Sequence, residues 1–145
     1  MTFRLGITSD HGGFALKEFL KKNFNAVPVE WVDFGTDSEN SVDYPDFGKK
    51  LADAVASGEL ALGVAICGTG IGISIACNRN PAIRAALCAD TTMARLAREH
   101  NDAQILCLGG RVTGAETALD ILKTFLESPF EGGRHQRRID KLGSC

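Results

Sequence analysis

Between Val64 and Ala76 the chain reads VAICGTGIGISIA, an apolar run, a cysteine, then three glycines alternating with other residues. Such a loop, lying between a strand and a helix, turns backbone N–H groups toward one point, where they stabilise negative charge. Three familiar glycine loops are excluded by single positions. A dinucleotide fingerprint needs a third glycine at Ile73, a Walker loop needs a Gly-Lys-Ser/Thr that is absent, and a C-x5-R phosphatase loop needs arginine at Ile73. Cys67 stands at the base of the loop, where a helix N-terminus favours the thiolate. Equally, a cysteine there can be a small buried residue that closes the strand.

Other polar clusters accompany it. Asp10 and His11 follow the first apolar run in SDHGG and serve either as a helix cap with a surface histidine or as ligand contacts. His100, in EHND, either complements a helix C-terminus as a cation or acts as a general acid-base. Arg134, Arg137 and Arg138 gather after a Gly-Gly turn, and Arg111 follows another. That run is either a solvated face or a fork for a phosphate, and Arg134 and Arg138 share a face if the tail is helical.

Positioning these groups requires regular elements. Apolar runs at 3–8, 29–34, 62–67, 83–88 and 103–108 read as strands. Helical spacing covers 14–24, about 46–57, the stretch from the glycine loop to about 78, a segment capped by Asp90 or Thr91 and reaching about 100, and a stretch from about 114 to before Pro129. A terminal helix is expected near 136–142. The pattern predicts one α/β domain over 1–145, a doubly wound, Rossmann-like five-stranded parallel sheet in the order 2-1-3-4-5, with a C-terminal helical tail. The winding reverses between strands 1 and 3, where such sheets bind ligands, so Asp10-His11 and Cys67–Gly72 are expected to face one crevice.

Composition narrows the function further. The chain has 145 residues, 44% hydrophobic and 23% charged, enough for a core without staples. A net charge of −2 argues against a nucleic-acid or anionic-membrane partner, and no apolar run approaches the ~20 residues that span a bilayer. The N-terminus lacks the pattern of a secretory signal. Five cysteines, Cys67, Cys77, Cys88, Cys107 and Cys145, form no C-x-x-C pair, which predicts a reduced, cytoplasmic protein without a zinc site. Cys77, Cys88 and Cys107 read as core, and Cys145 as exposed.

SDHGG at 9–13, DYP at 43–45, ICGTGIGISIA at 66–76, REHND at 98–102, GGR at 109–111 and EGGRHQRR at 131–138 together resemble the type B ribose-5-phosphate isomerases. That superfamily includes galactose-6-phosphate isomerase subunits, and some members accept allose 6-phosphate. The resemblance implies interconversion of ribose 5-phosphate and ribulose 5-phosphate in the pentose phosphate pathway, through an enediolate and without metal or cofactor. It implies a homodimer with shared active sites, possibly assembled into a tetramer. By the same resemblance Cys67 is the base, Thr69 and the Gly68, Gly70, Ile71 and Gly72 loop hold the substrate and its oxyanion, and His100 opens the sugar ring. Asp10, His11, Tyr44 and Asn101 correspond to substrate contacts, while Arg111, Arg134 and Arg138 bind chiefly the phosphate. A branch that carries its base as glutamate does so at the position of Ile71, which places this chain in the cysteine branch. Alternatives are isomerisation of a six-carbon sugar phosphate and a non-catalytic phosphometabolite-binding module.

Overall fold

Strands that are apolar along their whole length need cover on both faces, and this chain supplies it with helices. The computed structural model describes residues 2–143; Cys145 lies outside them. The elements run β1 (Phe3–Ser9), α1 (Phe14–Asn23), β2 (Val29–Asp33), α2 (Tyr44–Ala56), β3 (Gly63–Cys67), α3 (Ile71–Asn78), β4 (Ala85–Leu87), α4 (Thr91–Asn101), β5 (Ile105–Gly109), α5 (Ala115–Glu127) and α6 (Arg134–Leu142). All strand pairs are parallel. No helix of the described residues is long and apolar enough to cross a membrane.

The alternation of side chains across the strands splits the interior in two. Val64, Ile66, Leu106 and Leu108 face α1, α4 and α5, where they meet Leu16, Leu20, Ala94, Ile121 and Phe125. Ala65, Cys67, Ile105 and Cys107 face α2 and α3, packing on Leu51, Val55, Ile73 and Cys77. Each fully buried large side chain contributes roughly 1.5–3 kcal/mol. The first helix is fixed to the second strand by an ion pair: Lys17, fully buried, places Nζ 2.6 Å from Asp33 Oδ2, and Lys21 reaches the same oxygen at 2.8 Å. The expected cap of the fourth helix is Asp90, whose Oδ1 accepts the Met93 N–H at 2.7 Å.

The doubly wound parallel class and the helical tail are as expected, but the order of the last two strands is exchanged. The sheet runs β2-β1-β3-β5-β4, with β5 beside β3 and β4 at the edge, not 2-1-3-4-5. Handedness does not distinguish the two orders, because a right-handed crossover can skip a strand position that a later strand fills. Burial does: β3 and β5 are buried at every residue, whereas the short β4 is only half-buried throughout. The β4 edge is partly closed by a side chain. Asn78 donates through Nδ2 to the Ala85 carbonyl at 3.0 Å, and its Oδ1 accepts the Ala85 N–H at 2.8 Å.

Candidate active site

The exchange of strands matters to the site, because it brings the loop after β5 next to the loop after β3. The Gly110 N–H donates to the Cys67 carbonyl at 2.8 Å and the Arg111 N–H to the Gly68 carbonyl at 2.9 Å. The loop after β1 joins them so closely that a Cβ on Gly110 would lie 2.5 Å from the Gly12 oxygen. Three strand ends therefore form one floor of backbone.

Cys67 ends β3 with 4% of its surface exposed. Its Sγ accepts the Gly70 N–H at 3.1 Å, and the Ile71 N–H is taken by Thr69 Oγ1 at 3.2 Å. Gly70 holds φ +82 as the residue before α3, a conformation open to glycine, and no side chain caps the helix there. The first helical bond runs from the Ser74 N–H to the Gly70 carbonyl, so the N–H groups of Gly72 and Ile73 remain directed out of the helix start. The guanidinium of Arg111 lies over Gly68, its Nη1 3.5 Å from where a Cβ would stand.

The surrounding contacts come from two further segments. Asp10, almost fully buried, accepts the Gly13 N–H through Oδ1 at 3.0 Å, and beside it the buried Ser9 Oγ has no partner. His11 Nδ1 accepts the Val42 N–H at 3.2 Å, which leaves Nε2 as the donor of the neutral ring. Tyr44, the first residue of α2, lays its ring on Gly72, where a Cβ would be 2.6 Å from Cζ. Asp10, His11, Tyr44, Cys67, Gly68, Thr69, Gly70, Ile71, Gly72 and Arg111 thus share one end of the sheet.

His100, Asn101, Arg134 and Arg138 do not join them within one chain. Both α4 and the loop that follows it finish before β5 starts, so His100 and Asn101 sit at the amino end of the sheet, and α6, which carries Arg134 and Arg138, meets them there through His135. Gly109, not Ile105, is level with Cys67, and the length of β5 between the two ends is roughly 13 Å. There His100 stacks on His135, ring centroids 4.4 Å apart and planes 14° from parallel. Glu131 Oε1 lies 3.9 Å from His100 Nε2 and 3.5 Å from His135 Nε2. The Glu131 N–H donates to the Glu99 carbonyl, tying the segment to the end of α4. His135 is held below its ordinary value by burial, then by the neighbouring His100 and Arg134. Glu131 and His135 were not singled out from sequence; the only signal available was their position in EGGRHQRR, because their meeting with His100 is tertiary.

The remaining described cysteines are buried, as expected of core. Burial, then Asp90, pushes Cys88 up to about 12, and a hydrogen bond with Cys77 followed by burial raises Cys107, so both persist as thiols. A surface groove lies away from Cys67, along the β4 edge, lined by Arg79, Arg84, Asn101 and Leu142 among others.

The sequence profile of the Ribose/Galactose Isomerase family matches residues 5–142. The chain belongs to this family. Its membership makes the protein an aldose–ketose isomerase, and relatives in the Ribose/Galactose Isomerase family agree along nearly the whole chain. Ribose-5-phosphate isomerase B of Escherichia coli (strain K12) is 42% identical over 139 residues, 96% of this chain and 93% of the relative. Among solved structures, ribose-5-phosphate isomerase B of Clostridium thermocellum superposes with a TM-score of 0.90 at 55% identity, covering 98% of this chain and 96% of the other. The type B ribose 5-phosphate isomerase of Trypanosoma brucei gives 0.95 at 44% identity, covering 99% of both chains.

Proposed function

We propose that the protein interconverts D-ribose 5-phosphate and D-ribulose 5-phosphate in the cytoplasm, as a homodimer whose two sites each draw on both subunits. The observation that carries this reading is the Cys67 sulfur beside the glycine loop, accepting the Gly70 N–H, with Arg111 above it. Aldose–ketose isomerisation needs one base that moves a proton between neighbouring carbons and donors for the oxygen that becomes negative. In the open-chain aldose the Cys67 thiolate removes the C2 proton. The C–H electrons form the C1–C2 double bond of the enediolate, and O1 takes the negative charge. The loop N–H groups stabilise that oxygen, each such donor being worth about 3 kcal/mol. Return of the proton to C1, with the O2 proton passing to O1, completes the ketose. Thr69 fixes the loop by accepting the Ile71 N–H.

Ring opening precedes this step. His100 protonates the ring oxygen as the C1–O bond breaks, and a base takes the proton of the C1 hydroxyl. Within one chain His100, Asn101, Arg134 and Arg138 are a strand length from Cys67, so they serve the Cys67 of a second copy. Apolar residues beside the loop support such an interface: Ile71 and Ile75 are 54% and 52% exposed one helical turn apart. Arg111 of one chain with Arg134 and Arg138 of the other would hold the phosphate, whose binding energy keeps the short sugar in its reactive pose. Asp10, His11, Tyr44 and Asn101 contact the sugar.

The test is incubation of the purified protein with ribose 5-phosphate in D2O, followed by proton NMR. Ribulose 5-phosphate should appear with deuterium at the exchanging carbon. Ketose without deuterium would overturn the solvent-exchanging thiolate, and no ketose would overturn the five-carbon assignment in favour of a six-carbon phosphate or a binding module.

A further inference from the structure

We propose that His100, Glu131 and His135 form a binding site for a borderline divalent transition-metal ion, with Zn2+ the best match. Among the described residues this is a group whose ligand atoms, one from each side chain, all lie within 4.8 Å of one another. With Oε1 of Glu131 3.9 and 3.5 Å from the two Nε2 atoms, a point equidistant from all three lies roughly 2.1–2.4 Å from each. Zinc bonds to imidazole nitrogen and carboxylate oxygen are about 2.0–2.2 Å long and those to imidazole lie in the ring plane, whereas the two rings stack 14° from parallel, so closing the site takes a rotation of one ring as well as a small shift of the carboxylate. His100, 39% exposed, is the ring that can turn, and the half-exposed Glu131 can follow it.

A second observation is independent of that spacing. His135 is 6% exposed, yet its Nε2 is buried with no hydrogen-bond partner. A buried polar atom left unsatisfied opposes folding and favours any partner that can reach it. Here that atom lies 3.5 Å from the Glu131 carboxylate oxygen, and a metal ion between the two would satisfy it. The donor set, two neutral nitrogens and one carboxylate, is that of zinc and its first-row neighbours; magnesium and calcium prefer all-oxygen shells. The C-terminus of α4 favours a cation at His100. Arg134 and Arg138, on the same helix as His135, oppose one, which lowers the affinity. Two imidazoles and a carboxylate leave the fourth position open to water. If the reading under Proposed function holds, an ion here ties up the ring-opening imidazole, so the site is an inhibitory one.

Calorimetric titration of the full chain with ZnCl2, and absorption spectra with Co2+, test the site directly and without reference to catalysis. One ion per chain is expected, with cobalt d–d bands and no thiolate charge-transfer band. His135→Ala and Glu131→Gln should each weaken binding at least 10-fold. Glu131 is exposed, so its variant remains informative if His135→Ala does not fold. Absence of binding, a thiolate band, or an affinity unchanged in Glu131→Gln would overturn the proposal. None of these outcomes depends on whether ribose 5-phosphate is turned over.

Discussion

Gly70 and Gly72 stand two residues apart in the same loop, yet a methyl group should do different damage at each. At Gly72 it would meet the ring of Tyr44, 40% exposed and at the start of a helix, which can swing away. Gly72→Ala is therefore expected to lower kcat/KM about 10-fold or more, with the melting temperature nearly unchanged. At Gly70 it would lie 2.9 Å from the Leu108 carbonyl carbon and 2.5 Å from Leu87, in a backbone with φ +82. Neither the backbone of β5 nor the left-handed conformation gives way, so Gly70→Ala should lower stability by about 1–3 kcal/mol as well as activity. Urea denaturation of the two variants, set beside their kinetics, separates the effects. This difference was not legible in GTGIG, because the identity of what faces each glycine is supplied by Tyr44 and by β5 from elsewhere in the chain.

Among the elements, α1 depends most on a charged contact. Burial would raise the Asp33 carboxyl, but the hydrogen bonds from Lys17 and Lys21 and from the Gly35 N–H outweigh it and hold it below the usual 3.8. A carboxyl lowered by folding contributes stability that is complete above its unfolded value and is lost as pH falls through the folded one. Denaturation from pH 7 down to pH 3 should therefore show a loss below about pH 4 that is smaller in Asp33→Asn. At pH 7 that variant removes the nearest carboxylate from the buried Lys17, leaving Glu18 at 3.6 Å and the Phe14 ring at 5.2 Å, and should be destabilised by roughly 2–4 kcal/mol. Element positions were largely legible, since each strand is a compact apolar run and each helix carries its own period. The neighbour of β3 was not. Right-handed winding allows either order, and it is the full burial of ILCLG against the half-buried AAL that selects β5. Likewise Asp10-His11 and the Cys67 loop could be placed together from strand ends alone. The distance from Cys67 to His100 depends on which end of α4 faces which end of the sheet.

For the whole molecule the two separated clusters make a quantitative prediction. Coexpression of Cys67→Ala with the double variant Arg134→Ala/Arg138→Ala yields mixed dimers as half of the population. If each site combines Cys67 of one copy with the arginines of the other, one of the two sites in a mixed dimer is intact. Activity should then recover to about a quarter of the wild-type kcat/KM at equal expression. If a chain uses its own arginines, both sites of the mixed dimer are damaged and nothing is recovered. Steady-state assays on the mixed and separate preparations decide between them.

The Asn78 amide that occupies the outer side of Ala85 also has a consequence for association between copies at high concentration. A sheet edge with free N–H and C=O groups is a template onto which another chain can add a strand, and here a side chain imitates the missing neighbour at one position of a strand only three residues long. Asn78→Ala would reopen that template without touching the glycine loop. Light scattering during prolonged incubation at raised protein concentration should then show association growing faster than in the wild type, while kcat at early times stays the same.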